Sequence, residues 1–121
     1  MYEVKVKSSF SAAHNLRDYH GKCENVHGHN WIVEAAAASS KLNKQGMVID
    51  FTILKKALKD VLTELDHSDL NEHSYFKKVN PSSENIAKFI YDRLKVSSVK
   101  CQVSSVTVWE TDASCAEYRG D

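Results

Sequence analysis

The sequence has no excess of charge of either sign. Sixteen Lys and Arg balance sixteen Asp and Glu, and the isoelectric point is about 7.0. This removes the broad basic surface that drives non-specific binding to nucleic acid or to anionic membranes. It also lacks a long hydrophobic run. The longest nearly apolar stretch, Trp31 to Ala38, has eight residues and includes Glu34, far short of the roughly 20 that a membrane helix needs. The opening MYEVKVKSSF is polar at alternate positions and does not read as a signal peptide. Cysteine is scarce and odd in number, at Cys23, Cys101 and Cys115, so reduced thiols in a cytoplasmic protein are expected rather than a disulfide framework. There is one proline, and no repeat, low-complexity tract or linker divides the chain. At 121 residues, 42% hydrophobic and 26% charged, the chain is expected to fold as a single domain over residues 1–121, burying roughly two-thirds of its unfolded surface.

Within that frame the apolar positions form clear periods. Tyr2, Val4, Val6 and Phe10 alternate with polar residues, predicting a half-buried strand to about Ala13. A second strand is expected from near His27 through Trp31, Ile32 and Val33 to the turn-rich KLNKQG. Leu54, Ala57, Leu58, Val61, Leu62 and Leu65 lie on one stripe of a helix that Asp50 or Thr52 could cap. After a polar stretch from Asp66 to Asn80, Pro81 precedes Ser82, Ser83 and Glu84, which suits a helix start; Ile86, Phe89, Ile90 and Leu94 form its stripe. Val103, Val106 and Val108 predict a third strand, and Cys115 to Arg119 a short return strand after a turn at Asp112. The order strand, strand, helix, helix, strand, strand is an α+β domain with an antiparallel four-stranded sheet and two helices on one face. Its two free sheet edges point to self-association.

Histidine is what the chain has in unusual supply: six, four of them between His14 and His29. His27 and His29 are two apart on a strand, so they share a face. If the first two strands pair antiparallel, His14 joins them from the end of the neighbouring strand. Three neutral imidazoles with a fourth position open is the donor set of a catalytic zinc site, whereas structural zinc is closed by four ligands. The connection from Asn15 to Val26 is longer than a hairpin loop requires, as functional loops often are. Cys23 within it reads as a fourth ligand, an inert buried thiol, or a nucleophile or base whose pKa a nearby zinc or imidazolium lowers. Asp66 and His67 follow the first helix, where the helix dipole favours imidazolium. His20 and His73 read as polar loop histidines, and Glu110 alone as a strand-end carboxylate in solvent.

Taken together, FSAAH (10–14), CENVHGH (23–29), GMVIDF (46–51), LDHSDLN (65–71), NPSSENIA (80–87) and WET (109–111) resemble the 6-pyruvoyltetrahydropterin synthase and 6-carboxytetrahydropterin synthase family over nearly the whole chain. The three-residue gap between Cys23 and His27 resembles the 6-carboxytetrahydropterin synthases of queuosine biosynthesis. The resemblance implies a tunnelling fold and a homo-oligomer, a hexamer built as a dimer of trimers. It further implies zinc on His14, His27 and His29, Cys23 as general base, Asp66 and His67 as a supporting relay, Glu110 as the anchor of the pterin ring, and Ser82 and Ser83 at the substrate. The implied reaction converts 7,8-dihydroneopterin triphosphate to 6-carboxy-5,6,7,8-tetrahydropterin, acetaldehyde and triphosphate, without a nicotinamide. No dinucleotide fingerprint contradicts this. Which Lys or Arg meets the triphosphate is not singled out. Glu24, next to Cys23, completes a CExxHGH pattern that in the resembled family goes with a second route, to 6-hydroxymethyl-dihydropterin for folate synthesis. A different class of protein, a non-catalytic zinc or pterin-binding module, would keep the metal histidines without Cys23, Asp66, His67 and Glu110.

Overall fold

A computed structural model describes residues 1–19, 25–97 and 103–120. The alternating segment at the start of the chain forms β1 (Tyr2–His14), which pairs antiparallel with β2 (His27–Ser39) from Tyr2 opposite Ser39 to His14 opposite His27. Burial follows the period of two. Val6, Phe10, Ala12 and His14 on β1 and Trp31, Val33, Ala35 and Ala37 on β2 are buried, while Lys5, Lys7 and Ile32 on the other face are exposed.

Asp50, rather than Thr52, caps α1 (Phe51–Thr63): its carboxylate accepts the Thr52 backbone N–H at 2.8 Å and the Thr52 hydroxyl at 2.7 Å. Of the predicted stripe, Leu54, Leu58, Leu62 and Leu65 are buried, with Ala57 and Val61 packed at its margin. Each such leucine contributes about 2 kcal/mol by leaving water. The polar stretch from Asp66 to Asn80, to which the sequence reading assigns no element, carries regular structure. It contains β3 (Ser68–Asp69), parallel to β1 at Ala12 and Ala13, then a 3-10 turn at Leu70–Glu72 and the short helix α2 (Ser74–Lys78). Among the described residues the sheet therefore has five strands rather than four, and there are three α-helices rather than two. Elements of two to five residues are too short to show a hydrophobic period.

Ser82 caps α3 (Ser83–Lys95), its hydroxyl accepting the Asn85 N–H at 3.2 Å. Ile86, Phe89, Ile90 and Leu94 are buried as their spacing predicts. β4 (Val103–Thr111) joins the free side of β2, and β5 (Ser114–Tyr118) returns along it after a turn at Asp112 and Ala113. The strand order is β3-β1-β2-β4-β5. α1 packs on β1, and α3 on β4 and β5. Since β3 covers one end of β1, only part of that edge is free.

Candidate metal centre and active site

Three strands deliver four side chains to one point. His14 ends β1 directly opposite His27, and His29 lies two residues on, opposite Ala12, so all three rings project to the helix-covered face. His14 is thus the last residue of the strand, not one just beyond it. Glu110 follows Trp109, which pairs with Ile32; by alternation it shares the face of Val106 and Val108. Beneath the rings lies Trp31, fully buried, stacked on Phe10 with centroids 5.9 Å apart and donating its indole N–H to the Ala12 carbonyl at 3.2 Å. Its ring stands edge-on to His14 and His29 at 4.8 and 5.1 Å.

The hydrogen bonds decide which ring nitrogens are available. His14 Nδ1 lies 2.7 Å from the Pro81 carbonyl, and His27 Nδ1 lies 2.7 Å from the Asn25 carbonyl. A carbonyl oxygen only accepts, so each Nδ1 carries the hydrogen and each neutral ring presents a bare lone pair at Nε2. Those two Nε2 atoms are 3.0 Å apart. His29 Nε2 is buried without a hydrogen-bond partner among the described residues. Two lone pairs aimed at each other, with the unpartnered Nε2 of His29 beside them, form a poor arrangement for neutral rings alone and a good one around a cation. Burial lowers the pKa of His14 and of His29 below the ordinary histidine value. For His14 the Pro81 hydrogen bond and Glu110 oppose this and the other two rings reinforce it; for His29 Glu110 opposes it and His27 reinforces it. The neutral, metal-binding form is favoured.

The fourth position expected to be open is faced by a carboxylate. Glu110 Oε2 is 3.9 Å from His14 Nε2, and Oε1 is 3.8 Å from His29 Nε2. The ligand atoms of His14, His27, His29 and Glu110 all lie within 4.8 Å of one another. Glu110 is therefore not a solvent carboxylate, and the donor set suits a divalent metal such as zinc.

Asp66 and His67 sit apart from this cluster, on the outer side of β1. The Asp66 carboxylate accepts the Ser11 backbone N–H at 2.9 Å and lies 3.0 Å from His67 Nδ1, and its pKa is lowered chiefly by the Ser11 hydrogen bond. His67 has a left-handed backbone, φ 56°, and donates its N–H to the Ser11 carbonyl at 2.6 Å. Its side chain is 82% exposed. A non-glycine residue in this region costs of order 1 kcal/mol, and such strain concentrates at functional sites. Cys23 and Glu24 lie outside the described residues.

A family profile described as 6-pyruvoyl tetrahydropterin synthase matches residues 3–121. The chain belongs to the 6-pyruvoyl tetrahydropterin synthase family. It is 37% identical over 123 residues to a 6-carboxy-5,6,7,8-tetrahydropterin synthase of Synechocystis, covering 98% of this chain and 93% of the relative. It is 33% identical over 124 residues to a 6-pyruvoyl tetrahydrobiopterin synthase of Dictyostelium discoideum, covering 93% and 91%. The solved 6-pyruvoyl tetrahydropterin synthase of Caenorhabditis elegans superposes with a TM-score of 0.91 at 32% identity, covering 99% of this chain and 96% of that one. As a member of the 6-pyruvoyl tetrahydropterin synthase family, the chain is a tetrahydropterin synthase-type enzyme.

In this family member several site-building residues escaped the sequence reading. Asn71 holds Asn15 through a reciprocal pair of hydrogen bonds to its backbone N–H and carbonyl, at 2.9 and 3.0 Å. Asn80 does the same for Arg17 at 3.0 and 2.9 Å. Arg17 returns the favour by donating to the carbonyls of Phe76 and Val79. The start of the long loop toward Cys23 is thereby tied to the segment that ends in Pro81, the support of His14. His73 is no idle loop histidine: its Nδ1 accepts the Tyr75 N–H and caps α2, and its Nε2 lies 2.5 Å from Glu64, which also pairs with Arg93. The one signal the sequence held for Glu110 was its parity with the buried Val106 and Val108, which gives the face it lies on but not the groups it meets there.

Proposed function

We propose that the chain is a zinc-dependent 6-carboxy-5,6,7,8-tetrahydropterin synthase, a cytoplasmic lyase of queuosine biosynthesis that converts 7,8-dihydroneopterin triphosphate to 6-carboxy-5,6,7,8-tetrahydropterin, acetaldehyde and triphosphate. The observation that carries this reading is the convergence of three imidazole Nε2 atoms beside Glu110. In the sequence, Cys23 precedes His27 with three residues between them. The Synechocystis relative named for the carboxy product supports the same branch.

His14, His27 and His29 hold the zinc, which supplies Lewis acidity and lowers the pKa of a substrate hydroxyl. Cys23, as thiolate, takes a proton from the substrate side chain. Asp66 orients His67 through Nδ1, leaving Nε2 to return or remove a proton. Glu110 accepts two hydrogen bonds from the amino group and ring N–H of the pterin. Ser82 and Ser83, which follow the Pro81 carbonyl that steadies His14, approach the substrate from the start of α3. Because His67 points outward from the β1 edge, the complete site draws on more than one subunit, in a hexamer of two trimers.

Incubating zinc-loaded protein with dihydroneopterin triphosphate and separating the pterins by chromatography tests the reading. The carboxy product with acetaldehyde is expected; absence of any turnover would leave a zinc-binding module. One specific feature favours a second activity. Glu24 directly follows Cys23, and a second base there suits a retro-aldol cleavage that stops at 6-hydroxymethyl-dihydropterin.

A further inference from the structure

Glu110 stands between two demands that one carboxylate cannot meet together. In the reading above it grips the amino group and ring N–H of the pterin, a planar contact that uses both oxygens. In the structure the same two oxygens face metal-ligand nitrogens, Oε2 toward His14 Nε2 at 3.9 Å and Oε1 toward His29 Nε2 at 3.8 Å. Ligand atoms about 2.0–2.1 Å from a tetrahedral zinc lie roughly 3.3–3.4 Å from one another. The separations here run from 3.0 Å between His14 and His27 to 4.8 Å at most within the group of four, with one Glu110 oxygen 3.9 Å from His14 and the other 3.8 Å from His29, so a small inward movement of the carboxylate brings one oxygen to ligand spacing. The Glu110 side chain is only 22% exposed. Among the described residues its carboxylate is paired with histidines alone, not with Lys or Arg. Its two oxygens thus face the same ring nitrogens that, with it, form the one group of side chains among the described residues able to hold a metal ion.

We infer that Glu110 is the fourth ligand of the metal in the substrate-free enzyme, and that it exchanges onto the pterin ring when substrate binds. The exchange makes recognition of the ring the event that vacates a coordination position, at the moment when the hydroxyls of the substrate side chain arrive to fill it. A ligand with the ring but no side chain takes Glu110 and offers nothing in return. By linkage, such a ligand weakens metal binding by the same factor by which bound metal weakens the ligand. The pterin half of this inference rests on the proposed function; the metal half rests on the geometry of four side chains.

Cobalt(II)-substituted protein provides a readout other than turnover, because the visible bands of cobalt report the number and kind of ligands. With no pterin present, Glu110→Gln is expected to alter these bands and to weaken metal binding by at least the roughly tenfold that loss of a supporting partner costs at metal sites. Unsubstituted pterin added to wild type is expected to change the bands and to loosen the metal, and this titration needs no variant. Wild-type bands and affinity that Glu110→Gln leaves unchanged would overturn the inference. So would a thiolate charge-transfer band that Cys23→Ala removes, which would give the fourth position to Cys23, or a bound pterin that leaves the cobalt bands as they were. If Glu110→Gln changes the bands but dihydroneopterin triphosphate is not turned over by the zinc enzyme, the proposed reaction fails and ligation by Glu110 stands. If turnover occurs and the bands do not move, only the ligand exchange fails.

Discussion

The Nε2 atoms of His14 and His27 face each other at 3.0 Å, each on a ring whose Nδ1 is bound to a backbone carbonyl, Pro81 in one case and Asn25 in the other. The two carbonyls dictate the tautomers, and the tautomers dictate where the lone pairs go. The hairpin register supplies the meeting, because His14 and His27 are directly cross-strand neighbours.

One zinc per subunit is therefore expected on His14, His27 and His29. His29→Ala should lose stoichiometric metal, measured by elemental analysis after gel filtration, while its circular dichroism stays that of the wild type. The core of leucines and valines under α1 and α3 does not include this ring. Full zinc content in the variant would refute the assignment.

Cys23→Ala should abolish the carboxy product with zinc still bound, since the thiolate is assigned to the substrate rather than to the metal. Glu24→Ala should leave the carboxy product and remove any 6-hydroxymethyl-dihydropterin. Chromatography of both products from wild type and the two variants checks this, and a hydroxymethyl yield that Glu24→Ala does not change would end the two-base idea.

His67 and His73 should separate function from stability. His67 is 82% exposed, so His67→Ala is expected to change stability by no more than about 0.5 kcal/mol while lowering kcat far more than it raises KM. His73 caps α2 and binds Glu64, so His73→Ala is expected to cost about 1–2 kcal/mol with kcat retained. Urea melts and steady-state kinetics on both variants would expose a reversal of these roles.

Asp66 predicts a pH dependence. Its folded-state pKa is depressed, first by the Ser11 N–H and also by His67, so its ionised form favours the folded state. That contribution is complete above the unfolded carboxylate value near pH 4 and is lost as the pH falls through the lower folded value. Wild type and Asp66→Ala should differ in urea midpoint at neutral pH and converge in strong acid. A difference that grows on acidification would contradict the sign.

Much of this protein was legible from local pattern. Alternation at Val4 and Val6, the stripe from Leu54 to Leu65 and the valines before Trp109 identify the long elements, because a strand or helix must repeat its apolar residues with its own geometry to bury one face. The same alternation, with an antiparallel pairing of the first two strands, is enough to bring His14 to His27 and His29. Sequence alone did not determine what depends on contacts between distant segments. Pro81 supporting His14, Asn71 and Asn80 gripping Asn15 and Arg17, and the left-handed His67 bound to Ser11 all join residues more than 50 positions apart, and none has a period to announce it. Whether Glu110 met solvent or the three imidazoles was likewise decided by tertiary structure, because only the docking of β4 on β2 brings its carboxylate within 4 Å of His14 and His29. Secondary structure follows from neighbours in the chain, whereas a metal centre follows from which chain segments become neighbours in space.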